Sequence, residues 1–252
     1  MNIIKSSTEM ISEPDQNLPL ETECLFGETV EILDNYQDWY LCKLLTDNYC
    51  GWLKKNSLGY LKKATHRVLT IRTCVFSNKD IKSNCIHHLS IGSLLNIRKI
   101  DRDWAEVCLS NQDNFKSAYV PAKHIVDIKH KAKDWVSVAE QFISTPYRWG
   151  GRNSISIDCS ALLQLSYQSF GENIPRNTKD QKNVLKKKVT ELNQLKRGHV
   201  IFWEGHVAIM VDNLNCLHSN AFYMKTVIEP LKDVIIRMGK NCNIMSMVDF
   251  SI

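Results

Sequence analysis

Cys159 is the residue whose position most clearly indicates covalent chemistry. It follows a glycine-rich stretch, Trp149-Gly150-Gly151, and begins a segment with the apolar spacing of a buried helix. A thiol is a good nucleophile once it ionises, and a helix N-terminus beside an imidazole favours the thiolate. The alternative is a buried, inert cysteine, which is the usual state of a free thiol in a protein. The position alone does not decide between these two interpretations.

Two histidines favour the reactive interpretation. His206 follows Gly205 at the start of a predicted strand, and His218 comes 12 residues later on the next one. Paired antiparallel strands can place both rings on one face of a sheet, where one acts as base and the other orients it. His199 also begins a strand and competes for the role of base. Zinc binding by Cys159, His206 and His218 lacks short ligand spacing and a fourth ligand, so we expect no metal and no cofactor.

The elements around these residues predict an α+β domain. Apolar residues at helical spacing predict a helix over 132–144, ended by Pro146. A second helix is predicted over 159–170, with Asp158 at its N-cap position. Three predicted strands follow, at 199–203, 206–211 and 216–219. Helices followed by an antiparallel sheet define the α+β class.

The N-terminal half contains an internal repeat. Gly27 precedes Trp39 by 12 positions, Gly92 precedes Trp104 by 12, and the two copies lie 65 residues apart. Short alternating segments with polar turns predict two small all-β barrels of about 60 residues each. One larger sheet with the same rhythm is the alternative. We expect domains at 1–62, 63–128 and 129–252.

Composition excludes several functions. The 252 residues carry a net charge of +5 without a basic stripe interleaved with aromatics, so no nucleic-acid partner is expected. No run approaches the roughly 18 apolar residues of a membrane span, and the first 16 residues do not read as a signal peptide. Nine cysteines without a CxxC pair suggest a reducing, cytoplasmic setting.

Three segments, taken together, resemble a known peptidase core. Residues 146–181 (PYRWGG…DCSALL…PRNTKDQ), 197–210 (RGHVIFWEGHVAIM) and 216–221 (CLHSNA) are similar in order and sequence to the NlpC/P60 cysteine peptidases. The resemblance implies a papain-like fold. Residues 19–53 and 64–83 are similar to the paired bacterial SH3-like domains that precede this core in γ-D-glutamyl-L-diamino acid endopeptidases.

The resemblance implies roles for the residues of the catalytic core. Cys159 in the DCS motif matches the nucleophile, His206 in GHV the base, and His218 the orienting residue. Tyr147 matches a tyrosine that assists the oxyanion site or the adjacent subsite.

Further residues match substrate-binding positions. Asp158 and Ser160 match positions at the N-terminal dipeptide of the substrate, although Asp158 also suits a helix cap. Thr178, together with Arg176, matches the PR-x-[ST] segment beside the site.

The resemblance also implies a substrate. These enzymes cut after the L-Ala-γ-D-Glu dipeptide of murein peptides and require a free L-Ala amine. Tyr49, in the DNYCGW segment, matches a tyrosine that reaches this amine, and Glu21 is a candidate acidic partner. We therefore expect a murein-derived peptide as partner and a role in cell-wall peptide recycling or turnover.

Two other classes of function stay open at this point. An amidase or acyltransferase could share the fold, although an acyl-chain substrate would need an apolar channel or a membrane anchor. A non-catalytic wall-binding module could carry the same domains. The joint presence of Cys159, His206 and His218 favours the peptidase.

Overall fold

The computed structural model describes residues 1–15, 17–109, 117–184, 186–239 and 243–251. Within these ranges strands come first and α-helices appear only after residue 130, although short 3₁₀ helices occur at Lys55–Ser57 and Ala122–His124. The elements before that point are β1 (Asn2–Ile3), β2 (Ser7–Ile11), β3 (Leu20–Leu25), β4 (Val30–Tyr36), β5 (Trp39–Leu44), β6 (Cys50–Lys54), β7 (Leu58–Gly59), β8 (His66–Val68), β9 (Arg72–Phe76), β10 (Cys85–Ser90), β11 (Leu94–Asp101), β12 (Trp104–Cys108), β13 (Ala118–Pro121) and β14 (Ile125–Asp127). Those after it are α1 (Trp135–Glu140), α2 (Cys159–Gln168), α3 (Thr178–Gln181), β15 (Lys187–Lys188), β16 (His199–Trp203), β17 (His206–Met210), β18 (Asn215–Asn220), β19 (Lys225–Pro230), α4 (Leu231–Met238) and β20 (Ser246–Asp249).

The β-rich N-terminal region contains two larger antiparallel sheets. One has five strands in the order β3-β2-β6-β5-β4, and the other has seven in the order β10-β9-β13-β12-β11-β8-β14. Separate apolar clusters fill them, built around Ile3, Met10 and Leu53 in the first and Val75, Leu95 and Val120 in the second. The sheets therefore follow the two copies of the repeat. That the second is also an SH3-like barrel stays a prediction.

The repeated glycines and tryptophans occupy equivalent positions in the two sheets. Gly27 and Gly92 have φ of 84° and 86°, and Trp39 and Trp104 begin the second strand of the hairpins β4–β5 and β11–β12. Each hairpin has a register shift in its first strand. A side chain on Gly27 would place its Cβ 2.1 Å from the carbonyl oxygen of Leu94, so glycine is required there for space as well as for backbone conformation.

The C-terminal region is a six-stranded antiparallel sheet with helices packed on it. The strand order is β15-β20-β16-β17-β18-β19, and α2 packs against β17 and β18. Strands β16 and β17 are almost wholly buried, which explains their continuous apolar sequence. Trp135, Tyr167 and Phe250 form an edge-to-face aromatic cluster beside this sheet.

Both predicted helices are shorter in the structure than in the sequence analysis. The helix predicted over 132–144 is α1, Trp135–Glu140, with the Asp134 side chain capping its first turn. The helix predicted over 159–170 ends at Gln168. In both cases the chain continues for three residues in tighter turns, with i to i−3 hydrogen bonds such as Phe142 N–H to Ala139 O and Phe170 N–H to Tyr167 O. The apolar spacing continues through such a turn and so does not mark the last α-helical residue.

The chain divides into two units, residues 1–130 with 152–154, and residues 131–151 with 155–252. The short segment 152–154 groups with the first unit through Arg152, whose buried guanidinium pairs with Glu28 at 2.9 Å. The Arg152 backbone N–H also donates to the Glu23 carboxylate at 2.8 Å. The domain boundaries given by the sequence analysis stay a prediction. Among the described residues, no helix has the length and apolarity needed to cross a membrane.

Candidate active site

Cys159 lies at the start of α2, as predicted. The preceding residue, Asp158, caps the helix by accepting the Ala161 N–H at 2.8 Å. Cys159 is 8% exposed, and its Sγ lies 4.0 Å from the carbonyl oxygen of Gly205, the residue before His206. Packing of α2 against β17 therefore places the thiol beside the start of that strand.

A chain of hydrogen bonds links the two predicted histidines to a carboxylate. His206 Nε2 lies 2.8 Å from His218 Nδ1, and His218 Nε2 lies 2.7 Å from Glu229 Oε1. The three residues come from β17, β18 and β19, which are neighbours in the sheet. Glu229 is paired in turn with Arg237 of α4. The sequence analysis predicted the two histidines but missed Glu229 and Arg237.

This chain fixes which nitrogen of each ring carries hydrogen. The Glu229 carboxylate is an acceptor, so His218 Nε2 must donate to it. Neutral His218 then has a bare Nδ1, which accepts from His206 Nε2–H. Neutral His206 is left with a lone pair on Nδ1, which is the form needed to take a proton from a thiol. The Asn220 amide nitrogen also lies 3.1 Å from His218 Nε2. The hydrogen on His218 Nε2 nevertheless points to the Glu229 carboxylate.

Burial sets the charges in the site. Burial, and then the Asp158 carboxylate, raise the pKa of Cys159 to about 12. Burial, and then His218 and Arg237, lower the pKa of His206 to about 3. For Glu229, burial opposes ionisation, but hydrogen bonds from Arg237 and His218 outweigh it and hold the pKa below its usual value. These shifts favour a neutral thiol and a neutral imidazole in the free protein, whereas the helix N-terminus and the imidazole led us to expect the ionised pair.

Cys159 and the histidines open onto one pocket. It has a volume of about 330 Å³, and its lining includes Tyr147, Cys159, His206, His218 and Arg237. Tyr147 is held by its backbone N–H, which donates to the Met224 carbonyl at 3.0 Å. Burial, and then the nearby thiol, raise the pKa of the phenol to about 12, so Tyr147 remains a hydrogen-bond donor at neutral pH.

Asp158 and Ser160 are engaged in structural contacts. The Asp158 carboxylate accepts from Gly150, Ser160, Ala161 and both terminal nitrogens of Arg176, and the closest of these contacts is 2.6 Å. A carboxylate offers about four lone-pair positions, so little capacity remains for a substrate ammonium group. The Ser160 hydroxyl also accepts from Arg176 at 2.6 Å.

The structure locates the other candidates of the core. Thr178, the remaining predicted binding residue of this unit, is the first residue of the short helix α3. His199, the competing base, lies buried on β16 with its Nε2 3.5 Å from the Asp249 carboxylate. Because the pocket is lined by His206 and His218, the geometry favours His206 as the base.

Tyr49, the residue predicted to reach the substrate amine, contacts its candidate acidic partner Glu21 within the first unit. The Tyr49 hydroxyl donates to Glu21 Oε2 at 2.7 Å. Glu21 is on β3, whereas Tyr49 immediately precedes β6 and is held by the Asp47 carboxylate, which accepts its backbone N–H at 3.0 Å. The two candidates are therefore in contact, and their role in binding an amine stays a prediction.

Comparison of the sequence with known protein families identifies two domains in the chain. Residues 144–238 match the NlpC/P60 family, and residues 10–58 match the bacterial dipeptidyl-peptidase Sh3 domain. Residues 144–238 therefore form an NlpC/P60 domain and residues 10–58 an SH3-like domain of that bacterial type, as the sequence motifs indicated.

Individual relatives cover most of the chain. It is 26% identical over 237 residues to dipeptidyl-peptidase 6 of Lysinibacillus sphaericus, covering 86% of both proteins. It is also 26% identical to the γ-D-glutamyl-L-lysine dipeptidyl-peptidase of Bacillus subtilis, covering 79% of this chain and 72% of the relative. A crystal structure of an NlpC/P60 family protein from Bacillus cereus aligns over 100% of this chain and 99% of its own, with a TM-score of 0.85 at 20% identity. This last comparison confirms the fold.

Proposed function

We propose that this protein is a cysteine endopeptidase that hydrolyses the bond between γ-D-Glu and the diamino acid of murein-derived peptides. The observation that carries the proposal is the placement of Cys159 beside an ordered His206–His218–Glu229 chain in one pocket. Relatives named as γ-D-glutamyl-L-lysine dipeptidyl-peptidase and dipeptidyl-peptidase 6 support the choice of bond.

In the proposed reaction, Cys159 Sγ attacks the γ-carbonyl carbon of D-Glu while its proton moves to His206 Nδ1. The tetrahedral intermediate collapses, the C–N bond breaks, and the imidazolium gives its proton to the leaving amine of the diamino acid. Water then attacks the thioester with His206 as base, which releases the dipeptide and restores the thiol. Because Glu229 is ionised, it stabilises, through His218, the positive charge that forms on His206.

Two donors are available for the negative oxygen of the intermediate. As the first residue of α2, Cys159 has a backbone N–H without a partner inside the helix, and we assign it as one donor to the oxyanion. Tyr147 adds a protonated hydroxyl in the same pocket. We assign Tyr147 this role, as the resemblance implied.

We further propose that Tyr49 and Glu21 recognise the free α-amine of the N-terminal L-Ala. The Glu21 carboxylate, already oriented by the Tyr49 hydroxyl, is a suitable acceptor for an ammonium group. The Asp158 carboxylate is already hydrogen-bonded to Arg176 and to the N-terminus of α2. We therefore assign Asp158 the role of helix cap and assign recognition of the substrate amine to Glu21.

We also propose that the enzyme works in the cytoplasm, in recycling of murein peptides. The eight cysteines in the described part of the chain are free thiols, and Cys50 and Cys85 are exposed. Exposed thiols persist in a reducing compartment. Fractionation of the native host, with detection of the protein in the wall or medium rather than the cytosol, would contradict this assignment.

The direct test compares three substrates by mass spectrometry. L-Ala-γ-D-Glu-diaminopimelate should be cut to the dipeptide and free diaminopimelate. Its N-acetylated form and intact sacculi should be cut at least about 100-fold more slowly, because the Glu21 carboxylate is then left without its charged partner. Comparable rates on the acetylated peptide, or peptides released from sacculi, would contradict the proposed specificity.

Tyr49→Phe tests the amine site separately from the chemistry. Loss of the hydroxyl that orients Glu21 should raise KM for the free peptide by roughly tenfold, about one hydrogen bond to a charged group. The rate at which iodoacetamide alkylates Cys159 should not change. An unchanged KM would remove Tyr49 from substrate binding.

A further inference from the structure

A second group of cysteine and histidine side chains lies in the seven-stranded sheet, within the first unit. Cys74 on β9, and Cys85 and His88 on β10, place their ligand atoms within 4.8 Å of one another. Cys74 Sγ is 3.5 Å from His88 Nδ1, and Cys85 Sγ is 3.9 Å from the same nitrogen and 3.8 Å from His88 Nε2. None of the three belongs to the site described above.

A bulge in β10 brings the three residues to one face. Cys85 and His88 are three positions apart and would point to opposite faces of a regular strand. The register shifts between Cys85 and His87, so that Cys85 lies opposite Phe76 and His88 lies opposite Cys74. Phe76 and Cys74 share a face because they are two residues apart. The extra residue at Ile86 therefore re-aims Cys85 toward His88, as bulges often do near functional sites.

The distances match the edges of a metal-centred tetrahedron. With Zn–S of about 2.3 Å and Zn–N of about 2.0–2.1 Å, tetrahedral angles give an S···N separation of about 3.6 Å. The separations of 3.5 and 3.9 Å lie close to this value. Two thiolates and one imidazole are ligands that select zinc over magnesium or calcium.

Exposure leaves room for a fourth ligand. Cys85 and His88 are exposed and Cys74 is partly so, which leaves one side of the group open to solvent. A water molecule can complete the coordination, as it does in zinc sites with three protein ligands. The ion would link β9 to β10, the two strands that the loop 77–84 connects.

We propose that Cys74, Cys85 and His88 bind one Zn²⁺ ion that clips the hairpin β9–β10. The site is independent of the peptidase activity proposed above and lies outside the catalytic pocket. It departs from the expectation that the protein binds no metal. The ion acts on stability, by holding the two strands together, and takes no part in peptide hydrolysis.

The test measures zinc binding in a Cys159→Ala background, which removes the other thiol that lies beside histidines. Reduced, chelator-stripped protein should bind one equivalent of Zn²⁺, and Co²⁺ should give the absorption of a tetrahedral thiolate complex. Adding Cys85→Ser or His88→Asn should weaken binding by more than about 100-fold, since even outer-shell changes cost 10–100-fold. Cys50→Ser, at another exposed thiol of the same unit, is the matched control and should bind as tightly as its parent.

Stability gives a second readout that does not depend on the variants. Zn²⁺ at a hundredfold excess over Kd should raise the Tm of the Cys159→Ala protein by about 5 °C. Circular dichroism of the metal-free variants should match that of the metal-free parent. Absence of zinc binding, equal binding by parent and Cys85→Ser, or a Cys74–Cys85 disulfide in protein isolated under reducing conditions would overturn the proposal.

Discussion

The molecule contains two groups of cysteine and histidine side chains, which differ in burial and in whether a carboxylate is hydrogen-bonded to them. Around Cys159, one buried thiol faces a histidine chain that ends in a carboxylate. Around Cys85, one exposed thiol, one partly exposed thiol and one imidazole converge, and no carboxylate of the described residues joins them. One thiol beside a base with a fixed tautomer suits nucleophilic attack, whereas two thiols converging on a nitrogen suit a metal ion. The same residue types therefore support different chemistry because of what surrounds them.

Removing the catalytic thiol gives the largest expected effect. Cys159→Ala should lower kcat/KM for L-Ala-γ-D-Glu-diaminopimelate by at least about 10⁴-fold, because no other group supplies the nucleophile. Cys85→Ser should leave turnover unchanged at a temperature where both proteins are folded. If Cys159→Ala kept a tenth of the activity, the assignment of the nucleophile would be wrong.

The histidines come next. His206→Ala should lower kcat/KM by about 10³-fold, since the thiol loses its proton acceptor and the leaving amine its donor. His199→Gln, on the neighbouring strand β16, is the control and should cost little activity. A larger loss at His199 than at His206 would show that the base was chosen wrongly.

Glu229 tests whether the carboxylate fixes the tautomers. In Glu229→Gln, the new amide can donate to His218 Nε2, which would reverse both rings and leave a hydrogen on His206 Nδ1. We expect kcat to fall by about 100-fold with little change in KM, and the pH dependence of Cys159 alkylation to shift. Glu229→Asp should recover part of the loss. Equal losses in both variants, with an unchanged pH profile, would indicate a purely structural role through Arg237.

The pH dependence of alkylation gives the smallest effect and tests the charge state. Since the pKa of Cys159 is raised to about 12 and that of His206 lowered to about 3, the thiol should be protonated at pH 7. The rate with iodoacetamide should then rise continuously with pH through the neutral range. A rate that has already reached a plateau at about pH 6 would instead show that Cys159 is ionised there, the state that a helix N-terminus beside an imidazole favours.

The same shift predicts how stability depends on pH. The unfolded state binds a proton at His206 near pH 6.5, whereas the folded state resists it until about pH 3. The free energy of unfolding should therefore fall as the pH drops from about 6.5 toward 3. His206→Ala should reduce this dependence.

The sequence predicted the parts of the site that are local. Cys159 could be found from its helix start, and His206 and His218 from the two strands that carry them. Glu229 could not, because its place beside His218 depends on the register of β18 with β19 across a turn whose length the sequence does not define. The bulge that turns Cys85 toward His88 could not be predicted for the same reason. A register shift leaves no signal in the alternation of polar and apolar residues along a short strand.

The charge state of Cys159 and the grouping of residues 152–154 with the first unit also could not be predicted from the sequence. The pKa of a thiol depends on burial, and the composition of α2 does not reveal how completely Cys159 is covered. Similarly, Arg152 reads as part of a glycine-rich approach to Cys159, whereas its guanidinium is buried against Glu28. Both depend on contacts between residues far apart in the chain.

The most direct test of the comparison between the two groups uses protein that has been stripped of metal with EDTA. Its turnover of L-Ala-γ-D-Glu-diaminopimelate is measured by mass spectrometry, at a temperature below the Tm of the metal-free protein. The account predicts the same rate of diaminopimelate release before and after stripping, together with loss of bound zinc and a lower Tm. Loss of turnover on stripping, restored by zinc in the wild type and equally in Cys85→Ser, would place the metal at the catalytic group and contradict the account.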